Sequence, residues 1–190
     1  MRAPRPSRQG FTLIEMMITT AIIGIIASIA IPGFQRYQLR SRRSEAMTNL
    51  RAIGKMENAY FGEYGVYAPV VAQPAGIPIP SKRAWDPAAD VAYRTLGFKA
   101  EGAVYYSYDI EDGSLVACAC PASTCFTASA YGDLDGDGSL AVVAYYHPDA
   151  AGQTCPTAIG GNPVPVEPGT GLVVLDRPYA LLPSPGSDDF

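Results

Sequence analysis

The chain has 190 residues, of which 48% are hydrophobic and only 17% charged. That length fits one domain, or one small domain with an extension, and that composition excludes a chain disordered throughout. A formal net charge of −4 and a pI near 4.9 oppose the basic balance of a nucleic-acid-binding protein, so no direct nucleic-acid binding is predicted.

Residues 1–10 are basic and polar, with Arg2, Arg5 and Arg8 and no acid. The stretch that follows is apolar, and from Met16 to Gln35 no residue is charged. At ~1.5 Å per residue such a run spans ~30 Å, one bilayer hydrocarbon core. Glu15 stands at its N-terminal side. A carboxylate costs about 2.5–3.5 kcal/mol at the bilayer centre and less near the interface, so it calls for a partner. Cleavage between Gly10 and Phe11 would create one. Phe11 would gain a free α-amino group about one helical turn from Glu15, in the same helix or a neighbour. Arginines flank the apolar run on both sides, with Arg36, Arg40, Arg42 and Arg43 after it, so charge alone leaves the orientation open.

The string Gly10-Phe11-Thr12-Leu13-Ile14-Glu15, behind a basic leader, resembles the processing site of type IV prepilins and type II secretion pseudopilins. The resemblance covers roughly residues 1–65 and is most specific over 8–32. It implies that a membrane prepilin peptidase cuts after Gly10 and methylates Phe11, and that Glu15 is the assembly residue. It also implies an N-terminus in the cytoplasm, a head outside the inner membrane, and an inner-membrane assembly platform as a partner. The predicted fold is α+β and pilin-like: a long N-terminal helix, transmembrane in its first half, packed on an antiparallel sheet of about four strands. The predicted parts are a cleaved leader over 1–10, an assembly half-helix over 11–35, an amphipathic half over 36–62 and a β-rich head over 63–190.

One helix is expected from about Phe11 to Tyr60, weakened at Gly24 and at Pro32-Gly33. Pro32 removes a backbone donor and crowds the preceding turn, which makes it a candidate assembly residue. Beyond Gln35, Ala46, Met47, Leu50, Ile53 and Ala59-Tyr60 recur at spacings of three and four, the signature of one buried helix face. The arginines at 36–43 form either a solvated face or inter-subunit salt bridges. Phe34, Tyr37, Tyr60, Phe61, Tyr64 and Tyr67 read as packing of the helix and its junction with the head.

From Gly62 the texture turns to Pro, Gly and short β-like runs. Residues 65–100 read mostly as loop, punctuated by Pro69, Pro74, Pro78, Pro80 and Pro87, with Trp85 as a packing anchor. Strands are expected at Ala103–Ile110, Ser114–Cys120, Cys125–Tyr131 and Ser139–Tyr146, the first two joined through Asp112-Gly113. Residues 156–170 read as an exposed loop, Leu172–Leu175 as a short strand, and the end from Pro183 as frayed.

Cys118, Cys120, Cys125 and Cys155 permit three disulfide pairings. Cys120 and Cys125 flank Pro-Ala-Ser-Thr and can face each other across it, which leaves Cys118 for Cys155. A zinc site is the rival reading, poorly matched by these spacings. Asp133, Asp135 and Asp137 follow the start of a calcium loop, with the Ser139 carbonyl as a further ligand, yet Ala144 stands where a bidentate Glu is required. An Asp/Gly turn accounts for the same residues. His147 reads as a strand-end histidine, and no catalytic constellation is present in the sequence, so a non-enzymatic role is predicted.

Three functions follow from these residues. The first is a structural subunit of a type IV pilus serving adhesion, motility or DNA uptake. The second is a pseudopilin of a type II secretion system, acting in the periplasm. The third is a membrane-anchored binding protein that never polymerises.

Overall fold

The computed structural model describes residues 10–114, 117–157, 164–167 and 169–181. The leader up to Gln9, residues 158–163 of the expected loop and the segment from Pro183 lie outside them. Residues up to Gln38 and those from Leu39 onward form two compact units. Helix α1 runs from Leu13 to Tyr64, with Pro32 inside it. It ends four residues later than its sequence pattern suggests.

In the first unit the helix is apolar on every face. Leu13 is 78% and Ile29 76% exposed, and Phe34 and Tyr37 are exposed as well, unlike the packing role expected of them. This is a helix long and apolar enough to cross a membrane.

In the second unit α1 is amphipathic. Ala46, Leu50, Ile53, Gly54 and Glu57 are buried, Met47 and Tyr60 are half-buried, and Ala59 is exposed against expectation. The buried face belongs to one cluster with the sheet residues Tyr108, Ile110, Phe126, Ala128, Ala130, Val143 and Tyr145. The sheet has five antiparallel strands, one more than expected, with spatial order β1 (Val70–Gln73), β4 (Ser107–Glu111), β5 (Phe126–Gly132), β6 (Ala141–His147) and β7 (Pro178–Leu181). Alternation along β4 sends Tyr108 and Ile110 to the helix side and Ser107, Asp109 and Glu111 to the other. On β5 the helix-side positions Ala128 and Ala130 are small and leave room for the helix and its aromatic neighbours.

Several expectations are corrected. The run 103–110 splits: β3 (Ala103–Val104) pairs with β2 (Arg83–Ala84), and β4 begins after a break. The described part of Ser114–Cys120 is not a strand. Asp112-Gly113 opens an irregular connection to β5, closed by the bond from the Ser123 N–H to the Asp112 carbonyl at 2.8 Å. Residues 65–100 are mostly irregular, as expected, but they also hold β1, β2 and a helix, α2 (Pro87–Ala92), which were not expected from the sequence. Pro87 opens that helix at its first turn, where its missing N–H costs nothing, and the Asp86 side chain caps it by accepting from Ala89 N–H at 2.9 Å. The expected strand at Leu172–Leu175 reduces to one bridge, Val166 to Val173, and the fifth strand is β7. Trp85 packs as anticipated, against Tyr93, Phe98 and Tyr108 at ring distances of 5.3, 5.6 and 6.3 Å.

Glu57, Asp109, Glu111, Asp112 and Asp133 are buried, and no ion pair among the described residues reaches the two deepest, Glu57 and Asp109. Glu57 is fully buried, and its Oε2 accepts from Ala68 N–H at 3.1 Å while Oε1 has no partner. Burial pushes it up to about 8, against the Ala68 bond and with the help of Asp112. Asp109, 1% exposed on the other sheet face, is pushed up by burial to about 7 against the pull of Ser129.

Two predictions follow from this packing. A Cβ on Gly54 would lie 2.6 Å from the Tyr145 ring, which is itself stacked on Phe126. Gly54→Ala should therefore lower stability by about 1–3 kcal/mol in denaturant unfolding, and an unchanged midpoint would show that the ring yields freely. Glu57 and Asp109 retain protons when folded that they lose when unfolded, so stability is greatest near the ordinary carboxylate range. It falls as pH rises through about 7 and about 8. Thermal unfolding of the detergent-held chain should show that decline, and Glu57→Gln should flatten it; a flat wild-type profile would refute the assignment.

Candidate assembly site

The N-terminus of α1 is organised by Thr12 and Glu15. Thr12 precedes the first helical residue, and Glu15 follows it by three. The Glu15 Oε2 accepts from the Thr12 N–H at 2.8 Å and from the Thr12 hydroxyl at 2.7 Å, while the Glu15 N–H donates to Thr12 Oγ1 at 3.3 Å. This reciprocal pair satisfies donors that the first turn of a helix leaves free, and it places a negative charge at the positive end of the helix dipole. Thr12-x-x-Glu15 is a capping box readable in the sequence, and attention to charge alone overlooks Thr12. Phe11 is 79% exposed and Gly10 is exposed, so the peptide bond between them is open to attack. Ile14, Ile18 and Ile22 are each more than half exposed, so Glu15 sits at the head of a bare apolar rod.

In the second unit the cysteines pair as Cys118–Cys155 and Cys120–Cys125. Sγ of Cys155 lies 3.8 Å from that of Cys120 and 3.7 Å from that of Cys125, so the two disulfides pack against each other. Thiolates for zinc are thereby consumed. The pair pins the β4–β5 connection to the segment after β6. Thr127 on β5 adds to this by donating to the Cys155 carbonyl at 2.7 Å.

Asp133, Asp135 and Asp137 bring carboxylate oxygens within 4.8 Å of one another, a hard-oxygen cluster of the kind that suits a divalent cation. The same oxygens close the turn. Asp133 accepts from Gly136 N–H at 2.7 Å and Gly138 N–H at 3.3 Å, Asp135 from Asp137 N–H at 3.2 Å, and Asp137 from Ser139 N–H at 2.6 Å. Gly136 and Gly138 take φ of 86° and 85°, which only glycine adopts easily. Ala144, at the position of the missing bidentate ligand, is buried in β6. The Asp/Gly turn accounts for every one of these contacts without an ion.

Arg42 departs from the expected solvated face. It donates to the carbonyls of Leu134 at 2.6 Å and Pro80 at 3.2 Å, and its guanidinium lies 4.8 Å from the Tyr105 ring centroid. It thus clamps the Asp/Gly turn onto the helix. Glu45 faces inward beside it, accepting from Tyr105 N–H at 2.8 Å and pairing with Lys82 at 3.6 Å. His147, at the end of β6 as anticipated, lies 2.5 Å from Asp176 Oδ1 and stacks on Phe126 at 5.3 Å. That places it in the aromatic cluster of Tyr67 and Phe126, a structural setting.

A family profile described as the prokaryotic N-terminal methylation motif matches residues 5–31. The N-terminal segment is similar to that of type IV pilins. It is 51% identical over 70 residues to the type IV major pilin protein PilA of Myxococcus xanthus, covering 36% of this chain and 32% of that one. It is 36% identical over 74 residues to the type IV major pilin protein PilE1 of Neisseria gonorrhoeae, covering 39% and 34%. It is 52% identical over 52 residues to the type IV major fimbrial protein FimA of Dichelobacter nodosus, covering 27% and 31%. The matches span about a third of the length of these relatives, and the fold described above, a long apolar helix with an antiparallel sheet, agrees with a pilin.

The Asp/Gly turn yields a prediction of its own. Asp133 is 8% exposed and serves two amides, so Asp133→Ala should cost about 2 kcal/mol of stability in calcium-free buffer. A loss seen only after calcium is added would instead make the turn depend on the ion.

Proposed function

We propose that this chain is a structural subunit of a type IV pilus, cut after Gly10 by a prepilin peptidase, methylated at Phe11 and polymerised through its N-terminal helix. The supporting observation is a carboxylate, Glu15, fixed at the head of an exposed apolar helix. Inside a bundle of such helices an unpaired carboxylate would be destabilising by several kcal/mol. The α-amino group released at Phe11 offsets this. That ammonium also sits at the positive end of its own helix dipole, an unfavourable place that a carboxylate relieves. Cleavage and assembly are therefore coupled by charge.

On this reading the precursor resides in the bacterial inner membrane with its head in the periplasm, is handled by an assembly platform, and ends at the cell surface among other pilins. The relatives named above are pilus and fimbrial proteins, which favours a pilus over a secretion pseudopilus. Pro32 would serve as the place where the helix yields during extraction from the bilayer.

Two substitutions separate charge from capping. Gln can still accept from the Thr12 N–H, whereas Ala cannot. Both Glu15→Ala and Glu15→Gln are expected to abolish sheared surface filaments while leaving the subunit in the membrane. Filaments persisting in Glu15→Gln would show that the charge is dispensable and sink the coupling.

A further inference from the structure

In the second unit, the outward face of α1 is cationic between Arg40 and Ala59, and its one exposed acid, Glu63, follows in the last turns of the helix. Its exposed residues from Arg40 to Ala59 include Arg40, Arg51 and Lys55, separated by serine and threonine. The two acids of this stretch point elsewhere: Glu45 is bound to Tyr105 and Lys82, and Glu57 is buried. No ion pair among the described residues reaches Arg40, Arg51 or Lys55. Arg40 and Arg51 are three turns apart and Lys55 one turn further, so they line one side of the helix over roughly 22 Å.

The complementary surface is the Asp/Gly turn. Asp135 and Asp137 are exposed, and each commits one carboxylate oxygen to the turn, leaving the other outward. The turn is held still by Arg42 and by Pro80, whose Cγ would lie 3.0 Å from a Cβ on Gly136. A rigid acidic tip loses little side-chain freedom on meeting a cationic groove.

We propose that the Arg40–Arg51–Lys55 face of α1 docks the Asp135/Asp137 turn of a second copy of this chain. The inference rests on the polymerisation reading above and adds the contact that sets subunit register. Opposite charges steer and orient such encounters, and like charges brought together cost several kcal/mol. An anionic membrane is the competing occupant. A second copy is favoured because it carries the exposed acidic pair Asp135 and Asp137, the complement of this face.

Charge reversal tests this in cells expressing the full chain as their pilin. Arg51→Glu with Lys55→Glu, and separately Asp135→Lys with Asp137→Lys, should each cut sheared filament yield by about tenfold or more, the equivalent of ~1.4 kcal/mol per contact. The four-residue swap should restore it to within a few-fold. Arg51, Lys55, Asp135 and Asp137 are exposed, oxidised disulfides in membrane fractions will report that the variants fold, and Asp135→Asn with Asp137→Asn, which keeps acceptors for the turn's amides, should lower the yield as the loop reversal does. Undiminished filaments in either pair, or failure of the swap to rescue, would overturn the docking while leaving polymerisation standing. So would binding of the purified chain to phosphatidylglycerol vesicles that the helix reversal, but not the loop reversal, abolishes. An unaltered chain that forms no filaments at all would sink both readings, which distinguishes the two failures.

Discussion

The first unit of this protein is a helix whose apolar side chains stand exposed. Burying one large aliphatic side chain is worth about 1.5–3 kcal/mol, and here Leu13, Ile14, Ile23, Ile25 and Ile29 are all left more than 60% exposed. No arrangement of a single copy in water satisfies such a surface. Two environments do: lipid, and a bundle of the same helices. The rest of the N-terminal chemistry concerns passage from one to the other. Lipid tolerates a carboxylate at its edge, where headgroups and water are near, whereas the interior of a bundle does not. A group that is cheap in the first environment and costly in the second is an address label, and under the proposed cleavage an amine released at Phe11 would change which environment is preferred.

The second half of the helix follows different rules because a sheet covers it. Apolar positions are reduced to a stripe, and that stripe meets a sheet face whose central strand carries Ala128 and Ala130. Gly54 against Tyr145 is the closest approach among the helix glycines. Close packing there leaves no room for repositioning, so the head is a rigid load on α1. The two disulfides, packed sulfur to sulfur, tie the least regular connection of the head to the same sheet.

What the sequence could reveal tracked the physics of each segment. A long unbroken periodicity with a lone carboxylate is legible, because burial and helix geometry both act locally. The cysteine pairing was half legible, since four residues between Cys120 and Cys125 allow a short closure but do not require it. Ser114–Cys120 misled because β-like composition does not register that Cys118 and Cys120 are tied by disulfides to Cys155 and Cys125. β1 and β7 escaped because they are four-residue edge strands among prolines, stabilised by partners distant in sequence. Pro87 looked like a breaker and opens a helix, a distinction that depends on Asp86 before it. Thr12 was fully legible as a capping residue. Glu57 and Asp109 were not, because only the assembled sheet buries them.

The distribution of charge is the remaining consequence of the fold. Between Arg40 and Ala59 the exposed helix face carries cations alone, while Asp135 and Asp137 stand exposed on a turn. Arg42 is the exception that makes the division consequential. By turning inward to hold Leu134 and Pro80, it fixes the most acidic turn of the head to the most basic helix while leaving both the turn's outer oxygens and the helix's outer cations unpaired. Within one copy, the helix geometry that aims Arg42 inward aims Arg40, Arg51 and Lys55 outward. A molecule so divided cannot neutralise itself through these groups. It could do so against a neighbour, which the proposed filament would offer at every step.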